Sequence, residues 1–447
     1  MLYSVQKKPK HSIVVKKNTL GMVIPDGNHA LSPMHMSPES CAIVTKLQKS
    51  GFDAFFVGGC VRDALLGFKP KDFDVATNAN PKEIKLLFNR ARIIGRRFQI
   101  VHVQINRAIV EVTTFRSNQK CHSSDNLRHQ SKTGMLTRDN LFGSIKDDAN
   151  RRDLSINALY YNPTDNTIHD FLGSLSDIKK NLIRIVGDPT IRFKEDPVRL
   201  LRVVRFSTKL DFEIATKTAA PMCRLAKTLQ QISAPRLFEE CLKLFLNGHA
   251  SENYKLLDKY NFMSYLMPCI AKHAVGEDRA KRLISKLLSN TDQRVRYGKP
   301  VTPAFTFATM LWPAVQKESI KHIQSGKSAY MAQRHAADAV ISKQIKIIAI
   351  PRRYTVAMKE IWQLQSFLQK KDRAARLIGN LRFRAAYDLL LLREDSGESL
   401  GGAGMWWTKY QELHPQDRQT KFKTKKVISS SISRRRKYVL PKIESDF

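Results

Sequence analysis

The chain has 447 residues, a formal net charge of +36 and a pI near 10.1. Such a length supports roughly two to four domains. Such a charge excludes an ordinary enzyme of neutral small molecules and points to a polyanionic partner, nucleic acid ahead of a membrane surface.

Residues 1–37 are basic, contain Pro25, Gly27 and Pro33, and show no period, which reads as a mobile arm. The early lysines Lys7, Lys8 and Lys10 precede no apolar signal-peptide segment. No apolar run anywhere reaches the about 18 residues a membrane span needs, so a cytoplasmic location is expected. A helix is predicted from Ser37-Pro38, where serine can cap and proline fits the first turn. Ile43, Val44 and Leu47 follow at helical spacing. The short apolar strand Ala54–Val57 then runs into Gly58-Gly59. A glycine pair lets the backbone approach a bulky anion closely. Arg62 can pair with phosphate. Asp63 can hold Arg62, hold a ribose hydroxyl, or serve as a helix N-terminal acid. Asp72 and Asp74 come next, and on a strand such residues point to one face. They repel unless a cation sits between them. A hard divalent ion such as Mg²⁺, with Mn²⁺ as its substitute, is the natural occupant. A phosphate cradle beside two metal-binding carboxylates suits nucleotidyl transfer.

From Phe73 to Phe115 the pattern is mixed α/β. Pro81–Phe88 reads as a helix, and Phe98–Ile105 and Ile109–Phe115 as a strand pair with Asn106-Arg107 near the turn. Glu111, Thr113 and Phe115 share one face. Turned toward the site, Glu111 is a third metal-binding carboxylate; turned to solvent, it is a plain strand charge. Residues 117–150 are polar throughout and read as a long loop or partly disordered insertion. Arg151–Ala158 reads as a helical segment ended by Tyr160-Tyr161. In it Arg152 can clamp phosphate bidentately. Asp153 and Asn157, four apart, share a helix face, although Asp153 can equally orient Arg152 or cap a helix. Ile168–Phe171 reads as a last strand, and after Asp188-Pro189 the chain is predicted helical almost to residue 400. Within that half Asp196 suits an N-cap and Pro197 the first helical position. Arg199, Arg202 and Arg205 then line one side, as a nucleotide-binding row or as a solvated basic stripe. The cysteines, Cys41, Cys60, Cys121, Cys223, Cys241 and Cys269, form no close pair and read as reduced thiols. From about Asp417 lysines and the run Arg434-Arg435-Arg436-Lys437 dominate, which fits a disordered RNA-binding tail or a solubilising one.

Taken in order, Gly58–Asp63, Asp72–Asp74, Arg151–Ala158, Asp170-Phe171-Leu172-Gly173 and Glu195–Phe206 resemble the motifs of class II nucleotidyltransferases. That superfamily holds bacterial poly(A) polymerases and CCA-adding tRNA nucleotidyltransferases. The likeness spans residues 38–250. Gly95-Arg96-Arg97-Phe98, Ile361–Gln365 and Phe383–Asp388 look like the poly(A) polymerase branch, and no His-Asp hydrolase motif follows residue 250. Cys60 stands where that branch commonly has a third glycine, and Leu154 and Ser155 where Phe and Thr are usual. The resemblance implies an α+β fold, a small mixed-sheet nucleotidyltransferase head followed by an elongated all-α RNA-binding half. Its expected divisions are a basic arm (1–37), a catalytic domain (38–180), a helical neck (181–250), a helical body (251–415) and a basic tail (416–447). It implies template-independent transfer of AMP from ATP to RNA 3′ ends with release of pyrophosphate, in RNA processing and turnover. The alternatives are CCA addition to tRNA and an inactive RNA-binding relative. Asp72 and Asp74 would be catalytic metal ligands, with Asp153 in the catalytic set by resemblance and Glu111 the rival third acid by strand geometry. Gly58, Gly59, Arg62, Asp63, Arg152, Asn157, Asp196, Arg199 and Arg202 would serve the nucleotide, and Arg434, Arg435, Arg436 and Lys437 the RNA. ATP and RNA 3′ ends are the expected partners, with RNA-processing proteins as a further class and no membrane.

Overall fold

The computed structural model describes residues 21–95, 99–117, 128–130, 136–139, 141–274, 278–371 and 373–415. They fall into two units. The first runs through Ile232 and includes Lys259–Phe262; the second holds Ser233–Asp258 and the chain from Met263 onward.

The first unit is built on an eight-stranded sheet. Its strands are β1 (Met22–Ile24), β2 (Ala54–Val57), β3 (Asp74–Thr77), β4 (Ala91–Ile94), β5 (Ile100–Ile105), β6 (Ala108–Thr114), β9 (Leu159–Asn162) and β10 (Thr167–Asp170). Between β6 and β9 lies a separate antiparallel hairpin of β7 (Arg128–Gln130) and β8 (Leu136–Asp139). The sheet order is β1-β10-β9-β2-β3-β6-β5-β4, and only β3 and β6 pair in parallel. Residues 22–24 therefore belong to a sheet edge and not to a mobile arm. β4 is an edge strand that the sequence pattern did not disclose.

Local signals explain the helices around the sheet. Ser37 caps α1 (Pro38–Lys49) by accepting the Ser40 amide at 3.1 Å, and Ile43, Val44 and Leu47 are buried as their spacing predicts. α2 (Gly59–Leu65) starts directly after β2. α3 (Pro81–Leu87) opens with a capping box in which Asn80 accepts the Glu83 amide and Glu83 accepts the Asn80 amide. The expected loop over 117–150 instead contains the hairpin and, at its end, α4 (Ile145–Arg151), opened by a second capping box between Ser144 and Asp147. The expected helix over Arg151–Ala158 does not form. Arg152 is extended at φ −61°, ψ 160°, and only a 3₁₀ turn at Ser155–Asn157 follows. The reason is non-local: Ser155 N–H donates to Arg184 O at 2.9 Å, and Val186 N–H to Asp153 O at 3.1 Å. Pairing with residues 184–186 thus overrides the helical pattern. Tyr160 and Tyr161 lie in β9, fully buried. Val57, Ala76, Phe115, Ala149 and Tyr160 form a core under the sheet, with Phe55 and Phe171 packed on it. Burying Phe115 alone contributes on the order of 2 kcal/mol. Past the sheet come α5 (Ser174–Lys179), α6 (Pro189–Glu195) and α7 (Val198–Leu210). The short parallel pair Leu182–Ile183 and Glu213–Ile214 interrupts the expected all-helical run.

The second unit is helical among its described residues, with long helices at Asp278–Arg296, Pro303–Gln324, Ala329–Ile345 and Arg352–Lys370. Trp362 and Trp407 are its largest fully buried side chains, and each indole N–H is bonded, to Ala308 O at 2.9 Å and Leu368 O at 2.7 Å. Among the described residues no helix is long and apolar enough to cross a membrane.

Candidate active site

At the β2–α2 junction Gly58 adopts φ +81°, ψ −129°, a conformation that side chains resist. A Cβ there would stand 3.5 Å from Arg152 Nη1 and 3.8 Å from Asp74 Oδ2. Gly58 thus opens the gap between a guanidinium and a carboxylate. Gly59 has ordinary backbone, and its nearest neighbour would be Arg62 Nη2 at 3.6 Å. Cys60 is buried in α2, and burial pushes its thiol up to about 12, so it is an inert packing group. Arg62 is 2 % exposed. Its Nε and Nη2 donate to Asp63 Oδ1 at 2.8 and 2.6 Å, Nη1 donates to Asn157 Oδ1, and the guanidinium lies 4.9 Å from the Phe206 ring. Asp63 also receives Lys209 at 3.4 Å. Being the fifth residue of α2, Asp63 is a partner for Arg62 rather than a helix N-terminal acid.

The carboxylates lie one row further on. Asp74 begins β3, whereas Asp72 sits exposed in the bend ahead of it, so the two do not share a strand as the spacing predicts. Register supplies what spacing did not. Asp74 pairs with Glu111 across the parallel β3–β6 ladder, and Glu111 with His102 across β6–β5. Paired residues face the same side of a sheet, so Glu111 is turned toward Asp74. His102 Nε2 stands 3.4 Å from Glu111 Oε1. Burial first, then the Glu111 charge, push the Asp74 carboxyl up to about 6; Arg152 pulls the other way and Asp72 adds to the rise. Among the described residues no three His, Cys, Asp or Glu side chains enclose a metal ion. The donor set nevertheless suits a hard divalent cation. Asp74, Glu111 and Asp72 offer only oxygen, the donor a hard divalent cation prefers, and Glu111 and Asp72 both press on the Asp74 charge.

A third layer comes from the turn after α4 and from α7. Asp153 accepts the Leu154 amide at 2.8 Å, Asn157 Nδ2 at 3.3 Å and Arg202 Nε. Burial opposes its charge, but Arg202 and these donors more than offset it and hold the carboxylate well below the usual range. Asn157 thereby links Asp153 to Arg62. Arg199 Nη1 donates to Arg192 O at 2.8 Å and to Glu195 Oε2 at 3.1 Å. Asp196 precedes α7, and its Oδ1 accepts the Val198 amide at 3.3 Å, so the helix starts one residue later than Pro197 suggests. Arg202, Arg205 and Arg62 surround the Phe206 ring at 5.4, 4.6 and 4.9 Å. The arginine row is therefore neither a solvated stripe nor wholly turned outward. Asp74, Gly58, Arg152 and Glu111 are brought together, while Arg62, Asp63, Asp153, Asn157 and Arg202 form a hydrogen-bonded polar lattice, of which Arg62 and Asn157 are buried. Arg96, Arg97, Phe98 and the run Arg434-Arg435-Arg436-Lys437 lie outside the described residues. Sequence reasoning missed Asp148, Tyr160, Arg192 and Glu195. Arg192 Nη1 bonds Glu195 Oε2 at 2.6 Å, and its Nη2 reaches Arg152 O at 2.9 Å. Both acids, Asp148 and Glu195, sit three or four residues from an arginine they hold, which was the available signal.

The fold is that of solved CCA-adding enzymes. Solved structures of the CCA-adding enzymes of Bacillus stearothermophilus and Thermotoga maritima match it with TM-scores of 0.58 and 0.56 at 24% and 18% identity. The first match covers 85% of this chain and 83% of the other, the second 82% of each. The poly A polymerase head domain matches residues 54–184, the probable RNA and SrmB-binding site of polymerase A residues 211–273, and the polymerase A arginine-rich C-terminus residues 325–439. Poly(A) polymerase I of Escherichia coli O6:H1 is 42% identical over 405 residues, covering 89% of this chain and 87% of its own length. The Haemophilus influenzae counterpart is 40% identical and covers 89% of each. The CCA-adding enzyme of Limosilactobacillus fermentum is 39% identical over 211 residues, 47% of this chain and 50% of its own. The chain belongs to the poly(A) polymerase family.

Proposed function

We propose that this nucleotidyltransferase adds AMP from ATP to RNA 3′ ends without a template, at the site between Gly58, Arg152 and Asp74, and releases pyrophosphate. One observation carries the choice of product. Sequence similarity to the poly(A) polymerases runs through 89% of the chain, whereas sequence similarity to a CCA-adding enzyme stops at about half of it.

The residues suit the parts the reaction needs. Gly58 leaves the space a triphosphate requires, and Arg152 Nη1 borders that space as a charge-assisted donor. Asp72, Asp74 and Glu111 would hold Mg²⁺ or Mn²⁺. Bound there, the ion would lower the pKa of the RNA 3′-hydroxyl and screen charge on the leaving pyrophosphate. Asp153 we assign to the catalytic set through Arg202 and Asn157, which fix it, rather than as a metal ligand. Arg62 and Asp63 stiffen α2 under the glycines. Asp196 and Arg199 would read the adenine, whose N6 donor and ring acceptors suit a carboxylate and a guanidinium. Arg199 comes to that task with its plane already set by Arg192 O and Glu195. In this reading residues 38–180 are catalytic, 181–250 and 251–415 carry the RNA, and 416–447 add a basic tail. Deleting 416–447 should weaken RNA binding and flatten its salt dependence, because fewer counterions are released; an unchanged slope would make the tail a bystander. The deciding assay supplies each nucleotide separately with varied RNAs and with tRNA lacking its 3′ end. Long tails from ATP alone are expected. CTP incorporation on the shortened tRNA would move the assignment to CCA addition, and no magnesium-dependent pyrophosphate release would make the chain an inactive relative.

A further inference from the structure

Arg152 is held on all sides but one. Its Nε and Nη2 donate to Asp148 Oδ2 at 3.2 and 2.9 Å, and Nε also reaches the Tyr160 hydroxyl at 3.0 Å. The hydroxyl donates onward to the same Asp148 oxygen at 2.6 Å, and the Tyr160 ring lies under the guanidinium at 5.2 Å. Asp148 is fixed in turn: it is 7 % exposed, and its other oxygen accepts the Arg116 amide at 3.2 Å. Burial opposes the charge on Arg152, but Tyr160 and Asp148 more than offset it and keep the guanidinium charged. What remains is Nη1, aimed at Gly58, with Asp74 Oδ2 across the same gap.

The arrangement has a second consequence. Asp74 has two acidic neighbours, Glu111 and Asp72, and Arg152 is the cation acting on it. An unrestrained Arg152 would close onto Asp74 as an ion pair. That contact would occupy both the phosphate donor and the metal-binding oxygen. We infer that Asp148 and Tyr160 are positioning residues for nucleotidyl transfer, a clasp that aims Arg152 Nη1 at the polyphosphate of ATP and keeps it off Asp74. This rests on the reading of Arg152 as a polyphosphate ligand.

The test uses the full chain and the variants Asp148→Asn, Tyr160→Phe, Arg152→Ala and the double variant Asp148→Asn/Arg152→Ala. Asp148→Asn keeps the shape and removes the charge; Tyr160→Phe removes only the hydroxyl. KM for ATP and kcat are measured alongside Mn²⁺ affinity by electron paramagnetic resonance without nucleotide. Asp148→Asn should raise KM for ATP by about tenfold, the scale of one charged hydrogen bond, and weaken Mn²⁺ binding several-fold. Tyr160→Phe should do the same to a smaller degree. In the Arg152→Ala background, Asp148→Asn should cost nothing further in KM, since the two act as one unit. If its cost is undiminished there, Asp148 acts structurally and the clasp is wrong. Normal KM and Mn²⁺ affinity in the single Asp148 and Tyr160 variants, with Arg152→Ala impaired, would also overturn the clasp alone. Normal KM in Arg152→Ala would overturn the underlying reading of Arg152 instead.

Discussion

The two units each clasp an arginine against an acid, and they use it in opposite ways. In the helical unit Arg393 is 3 % exposed. It donates to Glu398 through Nε and Nη2 at 3.0 and 2.7 Å and to Gln365 through Nη1 at 2.8 Å, and it lies 4.7 Å from the Trp312 ring. Every edge is taken, so this arginine does nothing but hold helices. In the sheet unit Arg152 is fixed through two nitrogens and leaves the third beside Gly58 and an acid whose neighbours are also acids. A closed network stabilises one packing; an open one, backed by a closed one, presents charge to a ligand. The contrast lies in the edge left open: Arg393 is buried with every nitrogen taken, whereas Arg152 is partly exposed, its side chain 21% accessible.

The strongest way to break the contrast is at the acids. Asp74→Ala should cut AMP incorporation by at least about 10³-fold in a protein that still folds, and Asp72→Ala should follow it. Near-normal incorporation by either variant would remove the carboxylates from the mechanism. The closed network should answer the opposite way. Arg393→Met takes the ion-pair partner from the Glu398 carboxylate, leaving it the Gln316 amide, and should destabilise the helical unit by about 3 kcal/mol, read by denaturant unfolding, while KM for ATP stays fixed in the folded protein. A smaller effect belongs to Gly58. Gly58→Ala forces a side chain into φ +81°, costing about 1–3 kcal/mol, and places a methyl between Arg152 and Asp74, so KM for ATP should rise. An unchanged KM would mean the triphosphate lies elsewhere.

The mildest test is titration of the metal-free protein. Burial and the Glu111 charge push the Asp74 carboxyl up to about 6 from an ordinary value of 3.8. The folded state therefore binds the proton more tightly. The cost of ionising Asp74 is absent at low pH, grows between about pH 4 and 6, and is complete above that. Asp74→Asn should gain thermal stability relative to the parent across that window and no further beyond it. A flat difference would mean that Glu111 and burial do not press on Asp74 as the geometry indicates.

Much of the local structure was legible because its causes are local. Ser37-Pro38 and the buried spacing of Ile43, Val44 and Leu47 specify α1 without help from the rest of the chain, and Asn80-Pro81 does the same for α3. Ile361–Gln365 stood out as a resemblance, and the structure gives part of the reason: Trp362 and Gln365 are core groups whose polar atoms bond backbone carbonyls. The turn after α4 was misread because its conformation is set by residues some 30 positions away, at Arg184–Val186. Asp148 was invisible as a site residue inside a stretch that looked like polar loop.

By itself the sequence determined the chemistry available: the glycine pair, the acids, the arginines and their order, since residue type and short spacing fix donors, acceptors and helix starts. The tertiary structure decided which of them meet. Spacing joined Asp72 to Asp74 on one strand, whereas the β3–β6 register set Glu111 beside Asp74 and left Asp72 in the bend. Register between distant strands depends on the whole pattern of burial, and that pattern exists only once the sheet has formed.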